Sequence, residues 1–190
     1  MVICEQFVHL DANVIDKSTI VFSPQVREWC KLPYPMPKPK YPNGCPNYGK
    51  NPLCPPNSPY RADVVCKNAI FTLVTATFDI VSYAAKMKEL HPEFSDGQAR
   101  NSRLWQSSIK RLLSEKITNE IPYTDILGTG GGLLGYQSAE SGGVDMFATF
   151  QRNSIPFDKT ATNLIVLAAI VIREYGLPTK GQQATRMTRL

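Results

Sequence analysis

The chain has 190 residues and a formal net charge of +5, from 21 Lys and Arg against 16 Asp and Glu. Its hydrophobic fraction of 43% and its charged fraction of 19% are typical of a globular protein and exclude a mostly disordered one. This length favours one domain with a hydrophobic core. We expect the domain to span residues 1–176 and a basic tail to follow at 177–190.

The ends and the apolar runs of the sequence predict its compartment. Residues 1–6 lack a basic segment followed by a long apolar stretch, so no secretory signal is predicted there. The longest strongly apolar run, residues 164–172, is too short to cross a bilayer. We therefore expect a cytoplasmic protein without membrane contact, in which the five cysteines stay reduced and are available for metal or thiol chemistry.

The N-terminal half contains two predicted strands and two predicted helices. Residues 19–22 suit a short strand, and a Ser-Pro pair at 23–24 predicts a helix that ends near Cys30. Residues 69–78 are rich in β-branched and aromatic side chains, which predicts a buried strand. The apolar spacing over 79–90 predicts a helix.

The C-terminal half is predicted to add two helices and one strand. Ser95 is a good N-cap for a long helix over 96–119. The expected buried stripe of that helix consists of Leu104, Ile109, Leu112, Leu113 and Ile117. Residues 144–152 predict another helix, and the apolar run 163–172 predicts an interior strand, with a helix as the alternative. Together the elements predict an α/β fold with a small mixed sheet and flanking helices.

Residues 31–61 are predicted to form a long proline-rich loop. Ten of the 15 prolines fall between Pro33 and Pro59, and proline blocks both helices and strand pairing. A loop of about thirty residues inside a compact domain is rare, and no apolar periodicity offsets the entropy lost when it becomes ordered. We therefore expect another interaction to fasten this loop, and a metal centre is our hypothesis.

Four cysteines border the loop or lie within it. Cys30, Cys45, Cys54 and Cys66 are separated by 14, 8 and 11 residues, whereas structural zinc sites usually contain ligand pairs two to four residues apart. Two of the four are followed by proline, a sequence that recurs at iron–sulfur ligands. Soft thiolates suit an iron–sulfur cluster or zinc. The wide separations favour a 4Fe–4S cluster because it spans more space than one ion; zinc and unliganded thiols stay open.

The charge pattern of the loop points to an anionic group nearby. The loop contains no Asp or Glu and carries five cations: Lys31, Lys38, Lys40, Lys50 and Arg61. Cationic surroundings favour an anionic cluster or an anionic small-molecule substrate. Interleaved tyrosines make nucleic acid a further, less favoured partner, and a solvated basic face is the remaining interpretation.

The motif over residues 44–50, Gly-Cys-Pro-Asn-Tyr-Gly-Lys, is followed by Cys-Pro-Pro at 54–56. This pattern resembles a family of uncharacterised, predicted metal-binding proteins of bacteria and archaea with the signature Cys-Pro-Asn-Tyr-Gly and then Cys-Pro-Pro. Cys30 after a short helix and residues 138–147 are similar to other parts of that family. The resemblance implies iron–sulfur or metal binding and no settled reaction. Many relatives carry a second cysteine group where this chain has Gly-Thr-Gly-Gly-Gly at 128–132, which argues against a second cluster.

The resulting hypothesis is a 4Fe–4S protein with Cys30, Cys45 and Cys54 as ligands. The fourth iron would be held by Cys66 or left open. An open iron acts as a Lewis acid or accepts sulfur, so an enzyme of this kind would carry out non-redox sulfur transfer or hydrolysis on a small molecule. There are two alternatives. The first is a binding or structural module that is ordered by zinc or a cluster, and the second is an electron carrier.

Two carboxylates near a predicted helix start are further candidates for the site. Glu140 and Asp145 would handle protons or bind a cationic group of a substrate. The alternative for both is that they cap the free amides of the helix. The glycine run at 128–132 lacks the Lys-Ser/Thr ending of a phosphate loop, so it predicts a turn or a close approach of the backbone.

Overall fold

The computed structural model of the chain describes residues 3–33, 44–65, 68–129 and 133–180. These residues form an α/β fold around one four-stranded sheet, so the predicted fold class is confirmed. The strands are β1 (Val8–Ile15), β2 (Ala69–Asp79), β3 (Asp125–Gly128) and β4 (Leu164–Glu174). Their order in the sheet is β1-β2-β4-β3, and the three pairings are antiparallel, so the strands form an antiparallel sheet rather than the mixed sheet that was expected. A single parallel bridge joins Gly128 to Ser138.

The two central strands explain why the sequence contains long apolar runs. β2 and β4 pair along eleven residues, from Ala69 opposite Glu174 to Asp79 opposite Leu164. Both of their faces are covered, so apolar side chains are needed at consecutive positions rather than at alternate ones. The predicted strands over 69–78 and 163–172 are confirmed, and the alternative of a helix over the second range is wrong.

Six helices accompany the sheet in the described residues. They are α1 (Pro24–Glu28), α2 (Arg61–Val64), α3 (Ile80–Leu90), α4 (Asp96–Ala99), α5 (Gln106–Glu120) and α6 (Met146–Arg152). Asp79 caps α3 by accepting hydrogen bonds from the amides of Val81 and Ser82, as the predicted helix over 79–90 requires. No helix of this set is long and apolar enough to cross a membrane.

The predicted long helix over 96–119 is wrong as a single element. Ser95 forms a capping box with Gln98, but α4 ends after one turn. The side chain of Asn101 then accepts a hydrogen bond from the amide of Arg103 and starts a 3₁₀ turn, so the chain changes direction before α5. The predicted buried stripe is therefore confirmed for Ile109, Leu113 and Ile117, whereas Leu112 is only half-buried and Leu104 is exposed.

The predicted strand over 19–22 is also wrong. Only Phe22 pairs, in an isolated bridge to Val144. The helix predicted to follow it is confirmed as α1, with Pro24 at its first position. Ser23 does not cap that helix through its side chain, because its hydroxyl donates to the side-chain oxygen of Gln25 instead.

Both faces of the sheet are covered by apolar side chains. On one face, Tyr83 of α3 and Ile109 of α5 belong to the same buried cluster as Val74 of β2. On the other face, Phe150 of α6 shares a cluster with Leu73 of β2. Neighbouring residues of a strand point to opposite faces, so β2 supplies both clusters.

The predicted loop over 31–61 meets the sheet on the α6 face. Residues 34–43 of the loop lie outside the described residues, as does the part of the predicted basic tail at 181–190. Residues 44–60 form successive turns that lead into α2. Val65, directly after α2, is buried in the same cluster as α6, so the end of the loop is anchored to the core.

Candidate functional site

Three of the four predicted cysteine ligands line one cavity of about 840 Å³. Cys30, Cys45 and Cys54 all contribute to its wall although they are far apart along the chain. Cys66 lies outside the described residues, so its part in the site stays a prediction. The role of the other three as ligands also stays a prediction. Among the described residues, no group of three or more His, Cys, Asp or Glu side chains is arranged to hold a metal ion.

Backbone contacts bring two of the thiols to the same place. Cys30 lies in the 3₁₀ turn Trp29–Lys31 that follows α1, and its carbonyl accepts a hydrogen bond of 2.7 Å from the amide of Cys45. Gly44 makes this approach possible because its φ is +84° and a Cβ there would lie 2.5 Å from the Cys30 carbonyl oxygen. A residue with a side chain at position 44 would separate the two cysteines.

Cys54 is held within the turns of the loop. Its amide donates to the carbonyl of Asn51 at 3.0 Å, and its carbonyl accepts from the amide of Ser58 at 3.0 Å. The side-chain oxygen of Asn51 also accepts a bond from the amide of Leu53, so this segment is fixed by local hydrogen bonds.

Burial and neighbouring negative charges favour the protonated forms of the Cys30 and Cys54 thiols. Burial is the main cause that raises the pKa of the Cys30 thiol above its usual value. The negative charges of Cys45, Cys54 and Glu140 raise it further, while Arg27 lowers it. Burial and the charge of Cys45 likewise raise the pKa of Cys54. A positively charged centre among the three sulfurs would favour the thiolates, which are the forms that ligate metal.

Glu140 lines the same cavity as the cysteines. Burial raises the pKa of its carboxyl group, against the lowering effect of hydrogen bonds from its own backbone and the Ser138 side chain and of the charge of Lys110. The side chain keeps a partly exposed surface because it faces the cavity. The predicted proton-handling role of Glu140 is thus compatible with its position.

Asp145 has a different position from Glu140. It is the N-cap of α6, and its carboxylate accepts a hydrogen bond of 2.9 Å from the amide of Ala148. The described lining of the cavity does not include Asp145. The structure therefore shows Asp145 as a helix cap, which was the alternative interpretation of this residue.

The capping role of Asp145 gives a first prediction. Asp145→Ala is expected to lower the free energy of unfolding by about 1 kcal/mol, because the amide of Ala148 in the first turn loses its acceptor. Asp145→Asn keeps an acceptor oxygen and is expected to stay within a few tenths of a kcal/mol of the wild type. Urea denaturation followed by circular dichroism measures both, and equal losses in the two variants would contradict the cap.

Protein contacts fasten the described part of the proline-rich loop, residues 44–61, which is called the cysteine loop below. The expected fastening interaction is therefore supplied at least in part by polar side chains, and the metal centre stays a hypothesis. Arg61 forms a half-buried ion pair of 2.6 Å with Asp125 of β3 and donates from Nε to the side-chain oxygen of Gln137 at 2.7 Å. Gln137 is 1% exposed, and its amide donates to the carbonyl of Pro59 at 3.2 Å. Neither Arg61 nor Gln137 was identified as a fastening residue from the sequence.

Further bonds fasten the described second half of the loop and the residue that follows α2. Arg27 of α1 donates to the carbonyl of Ser58 at 2.6 Å, and the hydroxyl of Ser141 donates to the carbonyl of Leu53 at 2.9 Å. The Lys17 ammonium donates a hydrogen bond of 3.1 Å to the main-chain carbonyl of Val65, the residue directly after α2. Residues before and after the loop in sequence therefore hold it from both sides.

One basic side chain of the loop, Lys31, already interacts with other residues of the protein. Lys31 pairs with Glu28 of α1, and its ammonium lies 5.5 Å from the ring centroid of Tyr48. Lys38 and Lys40 lie outside the described residues. An anionic substrate or a nucleic acid as partner therefore stays a prediction.

Comparison of the chain with protein-family models, with curated proteins and with solved structures finds no match. The resemblance of the cysteine motif to predicted metal-binding proteins stays a likeness of short segments. The function is therefore inferred from the residues of the cavity and their chemistry.

Proposed function

We propose that this protein binds a 4Fe–4S cluster through Cys30, Cys45 and Cys54. The observation that supports the proposal is the common cavity, which is lined by all three thiols. Their donor set, sulfur only and widely spaced along the chain, suits a cluster. Zinc is the alternative metal, and it would require the sulfurs to approach one ion at about 2.3 Å each.

The volume of the cavity supports more than a purely structural centre. About 840 Å³ lies within the range of small-molecule sites, and the lining combines apolar, amide and hydroxyl groups with the thiols. The loop is also fastened by Arg61 and Gln137, so a metal that only orders it would have little to add. We therefore favour a cluster protein that also takes a small molecule over a metal-stabilised module or an electron carrier.

The proposed chemistry assigns separate roles to the cluster and to the chain. A cluster with an open iron supplies a Lewis acid or a sulfur acceptor, which suits sulfur transfer or hydrolysis without net redox change. Glu140, which faces the same cavity, holds a proton for exchange with the bound molecule. A reducing compartment such as the cytoplasm keeps the thiols available for such a cluster.

Replacing each cavity cysteine tests the proposal. Cys30→Ser, Cys45→Ser and Cys54→Ser are each expected to lower bound iron and sulfide by about tenfold or more after anaerobic reconstitution, because each removes one of few thiolate ligands. Iron and sulfide analysis with visible absorption spectroscopy measures the loss. The matched control is Cys4→Ala, since Cys4 is buried in the core on the other face of the sheet and should leave the cluster unchanged.

Several results would count against the cluster. Bound zinc without sulfide in the wild type would replace it by the zinc alternative. Full iron and sulfide content in all three serine variants would overturn the assignment of these cysteines as the ligands. Cys66→Ser separates the two forms of the proposal: an intact cluster in this variant indicates an open iron, and a lost one indicates four cysteine ligands.

A further inference from the structure

A tyrosine–lysine pair lies beside the cavity, with its tyrosine in the cavity wall. The ammonium of Lys180 donates a hydrogen bond of 2.9 Å to the phenol oxygen of Tyr136 and lies 5.4 Å from the centroid of its ring. Tyr136 is one of the residues that line the cavity with Cys30 and Glu140. The pair is therefore placed to act on whatever the cavity holds.

The backbone fixes both partners of the pair. Lys180 and Tyr123 exchange two main-chain hydrogen bonds, of 2.8 and 3.2 Å, in an antiparallel bridge. The ring of Tyr123 meets the ring of Tyr136 edge to face at 5.9 Å, and the amide of Tyr136 donates to the carbonyl of Leu133. The phenol is thus held at its ring, at its backbone and at its oxygen, which is the preorganisation that ligand recognition needs.

The direction of the Lys180 bond determines what the phenol can do. An ammonium has donors only, so the oxygen of Tyr136 must be the acceptor in this contact. The O–H of Tyr136 is then left to donate to a second acceptor. The bond raises the pKa of Lys180, which therefore stays charged at neutral pH, and a charged donor on the oxygen polarises the O–H and makes it a stronger donor.

We propose that Tyr136 and Lys180 recognise an acceptor oxygen, of a carbonyl or a carboxylate, on the small molecule that the cavity binds. The proposal rests on the cavity being the ligand site of the proposed function. Trp29 and Leu53, which also line the cavity, provide apolar surface for the rest of that molecule. The ligand class is therefore a compact molecule with an apolar body and an oxygen acceptor, which the phenol orients within the cavity.

Calorimetric titration with three probes of similar shape tests this recognition. Benzamide offers a neutral carbonyl, benzoate a carboxylate, and toluene no acceptor. The wild type is expected to bind benzamide or benzoate more tightly than toluene.

Tyr136→Phe is expected to weaken the binding of the preferred probe by about tenfold and to leave the affinity for toluene unchanged. The substitution removes one hydrogen bond but no apolar surface. Lys180→Met should act in the same direction, and more strongly on benzoate if the ligand is a carboxylate.

Tyr123→Phe is the matched control, because its ring touches Tyr136 but is not part of the described cavity lining. It should leave all three affinities unchanged. The proposal is overturned if the wild type shows no preference for an acceptor probe, or if Tyr136→Phe has the same affinities as the wild type. It is also overturned if Tyr136→Phe weakens the binding of toluene as much as that of the acceptor probe. Iron and sulfide analysis of the same samples keeps the two proposals apart: an acceptor preference without a cluster contradicts only the cluster, and a full cluster without the preference contradicts only the recognition.

Discussion

Replacing Gly143 by alanine is expected to lower the free energy of unfolding by about 3 kcal/mol, the sum of backbone strain and overpacking. Gly143 has a φ of +85°, which alanine rarely adopts. A Cβ there would also lie 2.3 Å from a ring carbon of Tyr60, the residue that precedes α2. The ring would have to move, and the end of the cysteine loop would move with it. Urea denaturation monitored by circular dichroism measures the loss.

Gly135→Ala separates the two causes. Gly135 has a similar φ of +77°, but a Cβ there meets nothing within 4 Å. This variant should therefore lose only the backbone contribution, about 1 kcal/mol. Equal losses at positions 135 and 143 would show that the contact with Tyr60 carries no energy and would contradict the packing of the loop against residues 142–143.

Arg61→Met is expected to lower the free energy of unfolding by about 3 kcal/mol, because it leaves two half-buried or buried groups without their charged partner. Asp125 loses its ion pair, and the side-chain oxygen of the fully buried Gln137 loses its donor. Methionine keeps most of the aliphatic volume of the arginine, so the effect reports the polar contacts. We also expect a reconstituted centre to release iron to a chelator faster, since the loop is less firmly held.

Arg111→Met provides the control for Arg61→Met. Arg111 pairs with Glu5 and Glu115, with half of its own side chain exposed, and its loss should lower the free energy of unfolding much less than the loss of Arg61 does. The double variant Arg61→Met with Asp125→Asn should be more stable than the sum of the single losses predicts, by about 1–3 kcal/mol, because the two residues interact directly. Additive losses would contradict the fastening role of the pair.

Local patterns were sufficient to predict the centre of the sheet. β2 and β4 are long apolar runs, and α3 is preceded by Asp79, whose side chain supplies the acceptor that the first turn of a helix requires. β1 was missed although its apolar Val8, Leu10 and Ala12 alternate with polar residues, a signal that the sequence does contain. β3 has only four residues, too few for any period to show. The antiparallel direction of the strands depends on their connections and not on local pattern.

From the sequence, only the cysteines and Glu140 were predicted as members of the candidate site. Their position around a loop without apolar periodicity suggested that they converge, and the structure places three of them on one cavity. The contacts that fasten and complete the site join distant residues: Arg61 and Gln137 are 76 positions apart, and Tyr136 and Lys180 are 44 apart. No spacing rule connects such pairs, because only the folded sheet brings them together. The loop did need a fastening, but polar side chains from elsewhere supply it.

The hydrogen bonds that fasten the cysteine loop are accepted largely by main-chain oxygens, including those of Leu53, Ser58 and Pro59. Every amino acid presents the same oxygen, so exchanging side chains at these positions leaves the anchoring bonds in place. Leu53 is the most useful case, since its side chain faces the cavity while its carbonyl is held by Ser141. If the cavity binds the small molecule that we propose, a library randomised at this position is expected to alter ligand selectivity without detaching the cysteine loop.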